Sequence, residues 1–327
     1  TTNGVFSVEN SSNASSSSIF IAYRSSGSTI FNDNIVLEAT DLNNDNISFG
    51  GNDGVTTLTA GNTVSIGVGG FVGGDLTFRN FTQVGATAQN IAITGSGIIY
   101  HYDADWGGDV TFEGPRIRLR TSTFNGDSEF TKTATGSDDC YGGNIFEGNT
   151  TFNINGNGRF YMGSSQADTF NLNVTYTNAS PGGDFELANN SANNYIAGDL
   201  TINHTPTGGD SYIILARSTA SSIQIDGATI VNSGGTPANT DIYLGYQGDV
   251  TFNDTLSATN AISAGTSEYH FANGTTSNVI INGNVSTLNN GSGTLERHYI
   301  GDDGLVTING TLDVLNNGSS TTADVII

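Results

Sequence analysis

Residues 243–253 read YLGYQGDVTFN, and the chain states nearly the same phrase twice more, as YMGSSQADTFN at 161–171 and YIGDDGLVTIN at 299–309. Each copy runs Tyr, a large apolar residue, Gly, five variable residues, Thr, Phe or Ile, and Asn. The copies begin at Tyr161, Tyr243 and Tyr299, intervals of 82 and 56 residues, close to three and two multiples of about 27–28. Degenerate copies fill the gaps. GDFELA around Glu186, SYIILA around Ile214 and EYHFA around His270 match the first half, and GDLTIN (198–203), SIQID (222–226) and NVIIN (278–282) the second. Looser versions lie upstream, as GDLTFRN (74–80), GDVTFEG (108–114) and GNTTFN (148–153). A period in this range marks a repeat architecture, whose units bury their apolar sides only by stacking on their neighbours.

The unit is built from β-formers. Alternation in DVTFN sets Val250 and Phe252 on one face and Asp249, Thr251 and Asn253 on the other, with Leu244 inward in the same way. Further alternating runs follow the Asn, as in GATIV (227–231), GNVSTL (283–288) and GTLDVL (310–315), and Gly, Asn and Asp separate them at turns. The expected fold is all-β: a parallel β-helix, or β-solenoid, of about 27 residues per coil with three short strands per coil, forming a single domain over 1–327. An antiparallel sandwich or barrel also uses many short strands, but gives no reason for one phrase to return at a near-constant interval. Phe152, Phe170, Ile202, Ile225, Phe252, Ile281 and Ile308 are expected to stack as one buried column. Met162, Leu187, Leu215, Leu244, Phe271 and Ile300 are expected to form a second. The asparagines after the first column turn the chain, or form a ladder of side-chain amides.

Composition agrees. The chain has 44 Gly, 4 Pro and a single Lys, Lys132, so the residues that fill helices are scarce. Its net charge of −22 comes from 31 acidic against 9 basic residues, at a charged fraction of only 12%. Nucleic-acid binding is disfavoured, because phosphate contacts need clustered Lys or Arg, and so is an anionic membrane surface. No run approaches the roughly 18 apolar residues of a membrane span, so membrane insertion is not expected. The opening TTNGVFSVEN lacks the charged and apolar regions of a signal peptide. Cys140 is the only cysteine, which rules out an intrachain disulfide.

Candidates for chemistry are few. His101, His204, His270 and His298 are scattered; His270 and His298 fall in neighbouring coils and are placed to approach on one face, the alternative being exposed or strand-facing rings. Cys140 lies in DDCYGG, where flanking acids oppose thiolate formation. Glycoside cleavage needs two facing carboxylates, and acids such as Asp199 and Asp249 recur once per coil, as a structural turn would also place them. No enzyme activity is expected. DADWGGD places Asp103, Asp105 and Asp109 within seven residues, an oxygen-rich set suited to Ca²⁺. Asp41, Asn43 and Asp45 alternate in DLNNDN, and GGNDG (50–54) is a single glycine–aspartate turn. None matches a full calcium-loop pattern, and solvated turns are the simpler account of all three stretches. RIRLR puts Arg116, Arg118 and Arg120 on one face, either to hold an acidic glycan or to neutralise acids on adjacent coils. Asn-x-Ser/Thr triplets, such as those at Asn253 and Asn309, follow from composition.

GDVTFN, IINGNVSTLNN and TINGTLDVLNN resemble the repeats of large secreted bacterial adhesins with β-helical stalks, of the filamentous-haemagglutinin kind, and especially the long cell-surface adhesins of Bacteroidota, some of which serve gliding motility. The resemblance covers the chain from about residue 70 onward. It implies an extracellular, cell-surface, non-enzymatic stalk whose partners are neighbouring repeats, other copies of the chain and surface glycans. The alternatives are a carbohydrate-active β-helix enzyme and a calcium- or glycan-binding module. Both ends read as strands, GVFSVEN and SIFIAYR at the start and TTADVII at the finish, so end-on continuation or docking is a further expectation.

Overall fold

The computed structural model describes residues 1–327 apart from 13, 15, 23–26, 43–44, 52–53 and 321. Among the described residues there is no helix, and every paired strand runs parallel to its partner. The chain is a parallel β-solenoid. It resolves into two compact units, one of Thr1–Thr135 with Asn144–Asn149, the other of Gly136–Gly143 with Thr150–Ile327.

In the second unit each turn of the solenoid contributes one strand to each of three faces. The first face holds Asn194–Ile196, Ser222–Ile225, Asp249–Phe252, Asn278–Ile281 and Leu305–Ile308. The second holds Val174–Asn178, Leu200–His204, Thr229–Ser233, Leu256–Asn260 and Val285–Asn289. The third holds Gly158–Tyr161, Gly183–Leu187, Asp210–Leu215, Asn239–Tyr243, Thr266–His270 and Leu295–Tyr299. Val250 lies against Val279, 29 residues on, and Val279 against Val306, 27 on. The first unit has the same plan and already begins with the pair Phe6 and Ile35, well ahead of residue 70. Its turns shorten to 18 residues where Val110 pairs with Ser128. The corners contract: only Pro115 separates Val110–Gly114 from Arg116–Arg120, and only 121–122 separate that strand from Thr123–Phe124, whereas 205–209 and 216–221 fill the corresponding corners on either side of Asp210–Leu215.

Two buried columns follow from this register. Phe170, Ile196, Ile225, Phe252, Ile281 and Ile308 stack along the first face, buried as far as Ile281 and half-buried at Ile308. This corrects the expected membership: Phe152 and Ile202 belong to the second face, in a column with Tyr176, Val231 and Ala258. A Gly-Asp corner followed by x-Thr-apolar is not specific to one face: GDLTIN opens the second while GDVTFN opens the first. The other expected column holds, with Leu187 against Leu215 and Met162, Leu244 and Phe271 fully buried.

The corners explain the Gly-Asp pairs. A Cβ on Gly126 would lie 2.6 Å from the carbonyl carbon of Gly108, and one on Gly148 would lie 2.4 Å from that of Gly126, so only glycine lets successive coils approach. The residue beside each glycine turns its carboxylate or amide along the axis. Asp109 Oδ1 accepts the Asp127 N–H at 2.9 Å, and Asp127 Oδ1 accepts that of Asn149 at 2.8 Å. In the second unit Asn173 does the same for Asp199, and Asp199 for Ala228, each at 2.8 Å. Backbone donors at the corner thereby find partners that no strand supplies.

Candidate functional site

Outward side chains on the third face of the second unit form two ranks. Arg159, Asp184, Tyr212, Asp241, Glu268 and Arg297 make the first; Tyr161, Glu186, Ile214, Tyr243, His270 and Tyr299 make the second. Period-2 alternation sends Phe160, Phe185, Ile213, Ile242, Tyr269 and His298 inward instead. The second rank is the Tyr position of the repeated phrase. Its rings stack coil on coil, Tyr243 on His270 at 4.7 Å and His270 on Tyr299 at 4.8 Å.

A shallow hollow of about 250 Å³ opens on this face, lined by Arg159, Asp184, Glu186, Tyr212, Arg217 and Tyr243. Its acids are engaged. Asp184 meets Arg159 Nε at 3.2 Å and accepts the Tyr212 N–H at 3.0 Å. Glu186, buried beneath Arg217, pairs with that guanidinium and with the Asn189 amide. Burial pushes both carboxyls above the usual range, against the pull of those donors. Further along, burial and then the neighbouring charge of Glu268 raise Asp241. Asp241, Glu268 and His270 each offer one donor atom within 4.8 Å of the others.

The first unit carries a second distinctive strip. Arg118 lies over the Tyr100 ring at 5.6 Å, Arg120 and Arg79 flank Tyr102 at 6.0 and 5.9 Å, and the two tyrosines stack at 5.4 Å. Arg116 and Arg118 also act on Asp75, whose carboxyl is raised by burial and drawn back by the Ile98 N–H and these two cations. RIRLR therefore sits among tyrosines and beside an acid, combining features of both readings made from the sequence.

The other candidates separate. Asp103, Asp105 and Asp109 are exposed, and each carboxylate grips the next coil: Asp103 accepts from Thr121 Oγ1, Asp105 from the Asn125 amide at 2.7 Å and Asp109 from the Asp127 N–H. Asp45 is buried and accepts from the Ser12 N–H at 3.1 Å, while Asn43, like 52–53 of GGNDG, lies outside the described residues. His270 and His298 do not meet on one face. Tyr299 pairs with His270 and Tyr269 with His298, so one ring points out and the other in. His101, His204 and His298 are core residues held down to about 3, 3 and 4 by burial. His101 continues a stack begun by Phe49 and Phe78, and its Nδ1 accepts the Trp106 indole N–H at 3.2 Å. Cys140 is buried.

No protein-family model, curated protein or solved structure matches the chain. Among the described residues, no helix is long and apolar enough to cross a membrane.

Proposed function

We propose that the chain is a non-enzymatic, extracellular structural and adhesive segment of a bacterial cell-surface adhesin, in which stacked coils supply length and stiffness and the Arg–Tyr strip of the first unit contacts acidic surface glycans. The observation that carries this reading is how the polar side chains are used. Asp226, Asn253, Asn282 and Asn309 form an exposed file in which each amide donates to the preceding coil. Asp109, Asp127 and Asp199 cap backbone donors of the following one. A chain whose outer polar groups are committed to its own axis resists shear and leaves few groups free for chemistry. Arg79, Arg116, Arg118 and Arg120 gather four of the nine basic residues beside Tyr100 and Tyr102, cations for carboxylates or sulfates and π-faces for sugar rings.

A carbohydrate-active enzyme is the second reading, favoured by the raised carboxyls of Asp184 and Glu186 beside an open hollow. One experiment separates the two. The protein is incubated with acidic and neutral polysaccharides, and both retention and product release are followed. The adhesive reading expects retention of acidic glycans, lost in Arg118→Ala/Arg120→Ala, with no product. Product release that disappears in Glu186→Gln would establish the enzyme and overturn the proposal.

A further inference from the structure

His270 is more than nine-tenths buried, yet among the described residues its Nε2 has no hydrogen-bond partner. Its other nitrogen explains the orientation. Nδ1 lies 3.1 Å from Asp302 Oδ2, and a carboxylate only accepts, so Nδ1 carries a proton and, in the neutral ring that a metal ligand must be, Nε2 presents a lone pair. That lone pair is aimed at acids. Glu268 Oε2 is 3.7 Å away, and an Asp241 oxygen completes a set whose members all lie within 4.8 Å of one another. The 3.7 Å separation is near the edge of roughly 3.4 Å expected of a tetrahedron with metal–ligand bonds of ~2.1 Å.

The surroundings hold Glu268 by its far oxygen and brace the other two ligands. Glu268 Oε1 is met by the Tyr299 hydroxyl at 3.4 Å and by Arg297 Nη1 at 3.6 Å, which leaves Oε2 turned towards His270. Tyr243 OH donates to Asp241 Oδ2 at 3.3 Å. The ring itself is clamped between Tyr243 and Tyr299. A histidine whose Nδ1–H is donated to a carboxylate, while Nε2 faces two further carboxylates, has the outer support usual for metal ligands. Arg297 is the opposing charge, and it is shared with Asp324 at 3.4 Å. Asp241, Glu268 and Asp302 outnumber it.

We propose that Asp241, Glu268 and His270 bind a divalent first-row transition ion of the Zn²⁺ class, with Asp302 as the positioning residue for the imidazole. One imidazole with two carboxylates is a nitrogen–oxygen set that suits Zn²⁺ better than Ca²⁺, which takes six to eight oxygens. The ligands come from consecutive coils, Asn239–Tyr243 and Thr266–His270, and the positioning carboxylate from just past Leu295–Tyr299. The ion is thus a clasp across three coils, and a fourth coordination position is left to water. This inference stands independently of the adhesive reading.

Tag-free protein of residues 1–327, stripped with chelator, is titrated with ZnCl₂ by calorimetry, and its melting temperature is followed with and without the metal. One equivalent should bind with a rise in melting temperature, and CaCl₂ should produce neither effect. Glu268→Gln, His270→Gln and Asp241→Asn should each weaken Zn²⁺ binding at least tenfold. Asp302→Asn should weaken it by about tenfold while leaving one equivalent at saturation, as expected for an outer partner. Should His270→Gln fail to fold by circular dichroism, Asp241→Asn and Glu268→Gln, which change no side-chain volume, decide the matter. Absence of saturable Zn²⁺ binding to the wild type, or undiminished binding in the two isosteric variants, overturns the site.

Discussion

The side-chain amide of Asn282 donates to Oδ1 of Asn253 at 2.8 Å, and its own oxygen accepts from Asn309 at the same distance. These residues sit one position beyond Phe252, Ile281 and Ile308, so an exposed amide file runs beside the buried column. An amide suits this position because it carries both a donor and an acceptor. Asn282→Asp removes the donor and places a carboxylate beside the Asn253 oxygen. It should lower stability by about 1 kcal/mol, read from the midpoint of urea unfolding. An unchanged midpoint would mean that the file contributes nothing.

Phe252 is fully buried between Ile225 and Ile281. Phe252→Ala should cost about 3–5 kcal/mol through lost burial and the cavity left behind. Phe252→Asp should be worse, because an unpaired charge enters the column. A melting temperature that stays put in either variant would contradict the inward assignment.

The corner glycines make a sharper test of coil spacing. A Cβ on Gly126 would meet Asp109 N at 2.5 Å, so Gly126→Ala must spread two coils and should destabilise by about 1–3 kcal/mol. At Gly208 a Cβ meets nothing within 4 Å, and Gly208→Ala should fall within about 0.5 kcal/mol of wild type. Equal effects at the two positions would remove the packing argument.

His101 predicts a pH dependence with a definite sign. Its folded-state value is about 3, against roughly 6.5 for an unfolded histidine. Between those values the unfolded chain binds a proton that the folded chain refuses. The contribution is therefore complete above pH 6.5 and falls by about 1.4 kcal/mol per unit as pH drops towards 3. Asp75, raised by burial in the same unit, acts in the opposite direction, so the comparison is made between wild type and His101→Phe. The variant should lack this part of the slope, as monitored by Trp106, the single tryptophan. Identical slopes would place the His101 proton elsewhere.

The period was legible because Tyr161, Tyr243 and Tyr299 occupy one structural position, reached through Glu186, Ile214 and His270. Which face a strand joins was not, since the same Gly-Asp corner opens more than one of them and sent Phe152 and Ile202 to the wrong column. The opposite orientations of His270 and His298 were readable: His298 precedes a phrase tyrosine and His270 replaces one, which puts them on opposite parities. The cluster of Asp241, Glu268 and His270 carries no short-range motif, because a solenoid joins residues a whole turn apart. Position two before the phrase tyrosine holds Asp241, Glu268 and Arg297, and that column was the available signal.

Register between adjacent coils is the claim on which the rest depends, and a pair of engineered cysteines tests it directly. Asn253 and Asn282 stand one coil apart, a separation of about 4.8 Å between paired strands and within disulfide reach. Asn253 and Asn309 stand two coils apart, at about twice that distance, while the native Cys140 is buried. Mild oxidation should give a quantitative intrachain disulfide in Asn253→Cys/Asn282→Cys and none in Asn253→Cys/Asn309→Cys, scored by mass spectrometry of the monomer. A crosslink in the second pair, or only intermolecular disulfides in the first, would contradict the in-register parallel solenoid.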